Sequence, residues 1–230
     1  MWALARGRPL VVPGRPAPAL IAHATNSEAR ASSAIDAGAD WVEVDIWGHS
    51  GAIEVRHERR TPVLPLLFEK WYVRFPGDTA RRLAGILGAL PPDVGVFFDL
   101  KDNHSATRDA IRSVFQDARG RRMAASSQLW HALRPLGAAC EGLDLFYSVD
   151  SPAKLDLLLS VIRRDRQVAG VSARASLLQA PTVRALHDCG LQVVAWTVDD
   201  PDRAAELARW GVDGITTHVP RAIREALTPS

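Results

Sequence analysis

The sequence predicts an α/β protein, a single (β/α)₈ barrel with a fold-back strand after its second strand. Three observations predict it. Eight short apolar runs rich in Val, Ile, Phe and Ala recur along the 230 residues. Amphipathic stretches separate most of them, the pattern of parallel strands joined by helices. No low-complexity linker divides the chain, whose length is lean for a fold that usually takes roughly 250 residues.

The runs are ALIAHAT (19–25), WVEVDIW (41–47), VGVFFDL (94–100), RMAASSQ (122–128), LDLFYSV (143–149), QVAGVSA (167–173), LQVVAWTV (191–198) and VDGITT (212–217). Helices are expected over 26–38, 78–90, 105–119, 151–165, 180–190 and 201–211. Their starts carry Asn, Asp, Ser or an early proline, and Gly38, Gly190 and Gly211 stand where helices stop. After the second run, GHSG leads to another strand-like stretch, AIEVRHE (52–58), which would fold back over the barrel mouth. Residues 1–18 read as an arm and 19–230 as the barrel domain. In that arm Arg6, Arg8, Pro13, Arg15 and Pro16 interrupt any signal-peptide core or spanning helix.

The composition excludes some functions. A formal charge of +2, from 28 basic and 26 acidic residues without a block of either sign, leaves no nucleic-acid footprint. Cys140 and Cys189 lie far apart, outside any disulfide framework or zinc spacing, which suits a reducing cytoplasm. No His-Glu-x-x-His or glycine-rich nucleotide loop occurs. Membrane contact would be peripheral at most. Trp71, Tyr72 and Phe75 in FEKWYVRFPG are either packing or lid residues or lipid contacts. The oligomeric state is not legible.

In such a barrel the C-terminal strand ends carry the chemistry. Alternation along a strand turns Val42, Val44 and Ile46 toward the helices and Glu43 and Asp45 into the interior. Two carboxylates confined there either share a cation or proton or are satisfied by arginine or backbone amides. FFDLK repeats the device, placing Asp99 and Lys101 on one face. Three carboxylates are a ligand set for one hard divalent cation, Mg²⁺ or Ca²⁺. Of 28 basic residues only Lys70, Lys101 and Lys154 are lysine, so Lys101 reads as a point charge for a phosphate oxygen or as an ion-pair partner of aspartate. His23 ends the first strand and His57 the fold-back. Two imidazoles flanking an acidic pocket suit the nucleophile, base and acid roles of phosphate ester cleavage. His49 in a turn, His104 and His131 at helix starts, His187 in a helix and His218 in the last loop read as solvated or capping residues.

With AHATN, GADWVEVDI, RHE, FFDLK and VVAWTVDDPDRAAELARWGVDGITTHVP in place, the chain resembles the glycerophosphodiester phosphodiesterase family, including its sphingomyelinase D-like branch, from about Ala19 to Pro220. The resemblance implies a TIM barrel in which Glu43, Asp45 and Asp99 bind the divalent cation, Lys101 contacts phosphate, and His23 and His57 are the catalytic pair. Trp196 would line the substrate site, or else be a core aromatic, with Asp199 beside the site. It further implies a phosphoric diester hydrolase acting on a small phosphodiester or a lysophospholipid headgroup.

The departures are specific. Ala24 and Thr25 follow His23 where the family usually has Arg-Gly, no Pro-Glu-Asn-Thr segment follows the Glu-x-Asp strand, and Asp99 stands for a glutamate. FDLK and WTVD are similar to the sphingomyelinase D-like branch, but HERRTPVLP lacks that branch's cysteine. A transferase releasing a cyclic phosphate and a non-catalytic barrel binding a phosphorylated metabolite are therefore the alternative readings.

Overall fold

The computed structural model describes residues 10, 18–49, 52–61, 64, 66–69, 72–74, 83–118, 120–162 and 168–228. Eight parallel strands close into a barrel: β1 (Ala19–Ala22), β2 (Trp41–His49), β7 (Gly95–Leu100), β8 (Met123–Ser127), β9 (Asp144–Val149), β10 (Gly170–Arg174), β11 (Gln192–Trp196) and β12 (Gly214–Thr217). β1 pairs with both β12 and β2, which shuts the ring. All eight coincide with the predicted runs.

Between β2 and β7 the chain departs from the repeat. β3 (Ala52–Val55) folds back antiparallel on β2, Ile46 opposite Val55 and Trp47 opposite Glu54, as expected. His49, expected in the turn, is the last residue of β2. Beyond β3 lies a small antiparallel sheet of β4 (Arg59–Arg60), β5 (Leu67–Glu69) and β6 (Tyr72–Arg74) that the sequence reading did not foresee. Strands of two or three residues are too short for a period to register. Trp71 and Phe75 lie outside the described residues, as does most of the proposed arm. Leu10 is described, and it is buried.

The helices are α1 (Glu28–Asp36), α2 (Leu83–Gly88), α3 (Ser105–Asp117), α4 (Trp130–Ala139), α5 (Pro152–Val161), α6 (Ala180–Asp188), α7 (Pro201–Arg209) and α8 (Pro220–Leu227). Ser27, Ser151 and Asp200 cap α1, α5 and α7 with side-chain oxygens. Gly38, Gly190 and Gly211, at φ 79°, 78° and 87°, follow α1, α6 and α7 in the left-handed conformation that glycine adopts without penalty. Beyond the six expected helices, α4 was foreseen only as the segment that His131 opens, and α8 was not foreseen. α4 contains Pro135 and Gly137, which weaken its signal, yet Ala132, Leu133 and Leu136 bury one helical face. α8 follows the last strand and packs on α7 and β1.

The interior is divided by height. At the N-terminal end Ile21, Trp41, Phe97, Ala124, Phe146 and Val194 form an apolar plug, joined by Leu10. Outward residues of the same strands, such as Val42, Val44, Ile46, Val96 and Phe98, pack under the helices. Toward the C-terminal end the inward positions turn polar, with Glu43, Asp45, Ser126, Ser148, Ser172 and Thr216 all buried. A polar layer resting on an apolar one gives the site a rigid floor.

Candidate active site

Glu43 and Asp45 point inward from β2, and Asp99 joins them from β7, where the register sets Asp45 opposite Asp99. One oxygen from each of the three carboxylates can be chosen so that all lie within 4.8 Å of one another, a spacing that can hold a metal ion. Glu43 accepts from the backbone N–H of Ala24 at 2.6 Å. Asp45 is clamped by Asn26, whose amide donates to Asp45 Oδ2 at 2.6 Å and whose oxygen accepts from the Asp45 N–H at 3.0 Å. Asp99 accepts from Ser126 Oγ at 3.1 Å. Lys101 Nζ pairs with Asp99 and lies 2.7 Å from Asp45 Oδ1.

The carboxylates divide by environment. Burial, with Asp45 and Asp99 adding repulsion, pushes Glu43 well above the ordinary glutamate range. Burial also raises Asp99, against the pull of Lys101. For Asp45 burial acts upward too, but Lys101, His57 and the Asn26 hydrogen bond outweigh it and hold the group low. Lys101 is raised despite burial because Asp99, Asp45 and Glu43 surround it. One ammonium among three acids leaves the cluster with unmet demand for positive charge. All its donors are oxygens, which suits a hard divalent cation.

His23 lies where β1 ends. Its Nε2 faces the cluster, 3.9 Å from Glu43 Oε2, and its Nδ1 lies 2.7 Å from His218 Nε2. Burial first, then the neighbouring His218, pushes its imidazole down to about 4, so the ring is neutral at neutral pH. His218 was expected to be solvated. It is exposed on one side, yet its Nδ1 is 2.8 Å from Asp199 Oδ2 and its backbone N–H donates to Asp199 Oδ1 at 2.8 Å. Thr217 Oγ donates to the same Oδ1 at 3.0 Å. Asp199 therefore sits on His218, and these contacts, against the opposing effect of burial, keep its carboxyl below the usual range.

His57 stands across the mouth on the exposed side, its Nδ1 2.5 Å from Glu69 Oε2 on β5. The small sheet thus supplies the acid that orients the second histidine. Trp196 ends β11 half-buried, its indole N–H buried without a hydrogen-bond partner among the described residues. Arg174, register partner of Trp196 on β10, places its guanidinium 5.6 Å from the indole centroid. Of the other histidines, His104 precedes α3 without capping it through its side chain, His131 is in α4, and His187 pairs with Asp213 at 2.9 Å.

Asn26, Glu69, Arg174 and the role of His218 escaped sequence reasoning. For Asn26 a signal existed: Asn26 and Ser27 are adjacent candidate caps, Ser27 takes the cap, and the spare Asn is free for the site. Ala24 has a left-handed φ of 49°, uncommon away from glycine, and this turn delivers its N–H to Glu43.

The glycerophosphoryl diester phosphodiesterase family profile matches residues 97–222, more than half of the chain. The chain belongs to this family. It is accordingly a phosphoric diester hydrolase. Solved structures with the same fold include an Oleispira antarctica phosphodiesterase in complex with its product sn-glycerol-3-phosphate, 19% identical, TM-score 0.73, covering 91% of this chain and 96% of that one. A glycerophosphodiester phosphodiesterase from Thermotoga maritima is 18% identical, with TM-score 0.69 and coverage of 92% and 99%. A putative one from Galdieria sulphuraria is 17% identical, with TM-score 0.71 and coverage of 91% and 97%. No curated protein matches the sequence. No described helix of this phosphodiesterase is long and apolar enough to cross a membrane.

Proposed function

We propose that this phosphodiesterase hydrolyses small glycerophosphodiesters in a divalent-cation-dependent reaction, with His23 and His57 as its catalytic pair. The observation that carries the reading is the convergence of three carboxylates on one polar floor, with the Nε2 of a neutral histidine facing them. Glu43, Asp45 and Asp99 would hold Mg²⁺ or Ca²⁺, which when bound neutralises non-bridging phosphoryl oxygens. Lys101 takes another of those oxygens. His23 attacks phosphorus or removes the proton of the attacking oxygen. His57, oriented by Glu69, protonates the leaving alkoxide, a contribution of about 10²- to 10⁴-fold.

The headgroup reading rests on Trp196 and Arg174. An indole face with a guanidinium 5.6 Å from its centroid is a poor seat for a quaternary ammonium, because the two cations repel and compete for the same π-surface. The pair favours an anionic or hydroxyl-rich alcohol over choline. ³¹P NMR of the protein with Mg²⁺ or Ca²⁺ and a panel of glycerophosphodiesters and lysophospholipids tests the whole. A glycerol phosphate monoester resonance that requires both metal and His23 is the expected result. A cyclic phosphate product would point to the transferase reading instead. Binding of the panel without turnover would leave a non-catalytic barrel.

A further inference from the structure

We infer that Asp199 and His218 form a hydrogen-bonded relay that fixes the tautomer of His23, keeping its Nδ1 protonated and its Nε2 lone pair bare toward the cation cluster. The inference rests on the catalytic role proposed for His23, but its geometry stands independently. An ionised carboxylate only accepts hydrogen bonds, so His218 Nδ1, 2.8 Å from Asp199 Oδ2, carries a hydrogen and donates it. In a neutral imidazole the other nitrogen is then an acceptor. His218 Nε2 is 2.7 Å from His23 Nδ1, so in the relay with a neutral His218 it is His23 Nδ1 that donates. Each ring then keeps one bare nitrogen: that of His218 accepts from His23, and that of His23, Nε2, faces Glu43.

The relay is anchored at its far end. Asp199 Oδ1 accepts from both the His218 backbone N–H and Thr217 Oγ, so the carboxylate cannot rotate without losing two bonds. The rings meet edge to face at 63°, centroids 4.5 Å apart. This arrangement uses a histidine in the last strand's loop as a positioning residue, while of these two rings only His23 faces the carboxylate cluster. It follows the same logic as a carboxylate that selects the tautomer of a catalytic base.

Asp199→Asn is the discriminating variant. The two donors on Oδ1 hold the amide oxygen there, so the amide NH₂ replaces Oδ2 and faces His218 Nδ1. Nδ1 must now accept, His218 Nε2 becomes the donor, and His23 is left with hydrogen on Nε2 instead of Nδ1. Ring ¹⁵N chemical shifts of the histidines read this directly, without any turnover. We expect wild-type His23 to show protonated Nδ1 and bare Nε2, and Asp199→Asn to show the reverse. On a substrate the wild type turns over, the variant should lose about 10²- to 10⁴-fold in kcat with KM little changed. His218→Gln, whose amide can accept from His23 and donate to Asp199, should recover at least a tenth of wild-type kcat, whereas His218→Leu should not. His218 borders a cavity of about 540 Å³ between α1 and α8, so these exchanges do not crowd the core. A wild-type His23 protonated on Nε2, or an unchanged tautomer and kcat in Asp199→Asn, would overturn the relay. The expected shifts in a protein without phosphodiesterase activity would keep the relay and overturn only the proposed reaction.

Discussion

At the scale of single residues the proposed cation site would depend on charge and not on shape, which makes Asp99 the informative position. Asn keeps the contact with Ser126 Oγ and the volume of the side chain, but it removes one of three negative donors. Asp99→Asn should lower activity by about 10²-fold and abolish calorimetric Mg²⁺ or Ca²⁺ binding while leaving the melting temperature within a few degrees. Unchanged metal affinity would remove Asp99 from the ligand set. Headgroup choice should turn on Arg174. Arg174→Ala should lower kcat/KM for an anionic headgroup about tenfold and leave a choline headgroup unchanged or improved, which competition between the two in one ³¹P NMR experiment measures. The three acids, Lys101 and both strand-end histidines were legible because strand alternation assigns a face to every second residue. Asn26, Glu69 and His218 were not, because each reaches its partner from a loop or a separate sheet, and no local period encodes that distance.

At the scale of elements the eight strands were legible as apolar runs, and six helices as caps and stops, since both signals are local. The small sheet was not, and it owes its place to a buried charge network instead. Glu54 on β3 accepts from Arg56 Nε at 2.7 Å and from Arg60 Nη2, at the start of the small sheet, at 2.5 Å. This brace ties β3 to β4 on either side of His57. Burial raises the Glu54 carboxyl, but the two arginines outweigh it and hold it below its ordinary value of 4.5. A depressed carboxyl contributes stability that is fully present above 4.5 and is lost as pH falls through the lower native value. Glu54→Gln leaves the buried Arg56 guanidinium with the Glu58 carbonyl and the Trp47 ring but without the Glu54 carboxylate, and should cost roughly 3 kcal/mol at neutral pH. Melting curves of the two proteins against pH should therefore run parallel above pH 5 and converge as the acid limit is approached. A constant gap down to the lowest pH would mean that the Glu54 charge contributes nothing.

For the molecule as a whole, the barrel supports a charged site because its lower interior is filled with hydrocarbon that cannot yield. Trp41 lies two residues below Glu43 on the same face of β2 and is fully buried, so the position of its indole sets the height of the first carboxylate. Room for that indole comes from Gly95, its register partner on β7. A Cβ there would lie 2.3 Å from the indole carbons Cδ2 and Cε3, closer than packed atoms tolerate. Trp41 shares the plug with Ile21, Phe97 and Leu10, so its indole can give only toward the pocket it lines beside Arg122 and Met123. Gly95→Ala should therefore destabilise the fold by about 2 to 3 kcal/mol, a fall in melting temperature of roughly 4 to 12 °C for a chain of this size. If the floor transmits the strain upward, metal affinity should fall as well, because Glu43 must shift with Trp41. Trp41→Leu in the Gly95→Ala background removes the clash and should recover part of the stability, a coupling that a double-mutant cycle reads as non-additive. Additive losses would show that the plug and the glycine do not share one packing constraint. The cation site would then rest on its own hydrogen bonds to Ala24, Asn26 and Ser126.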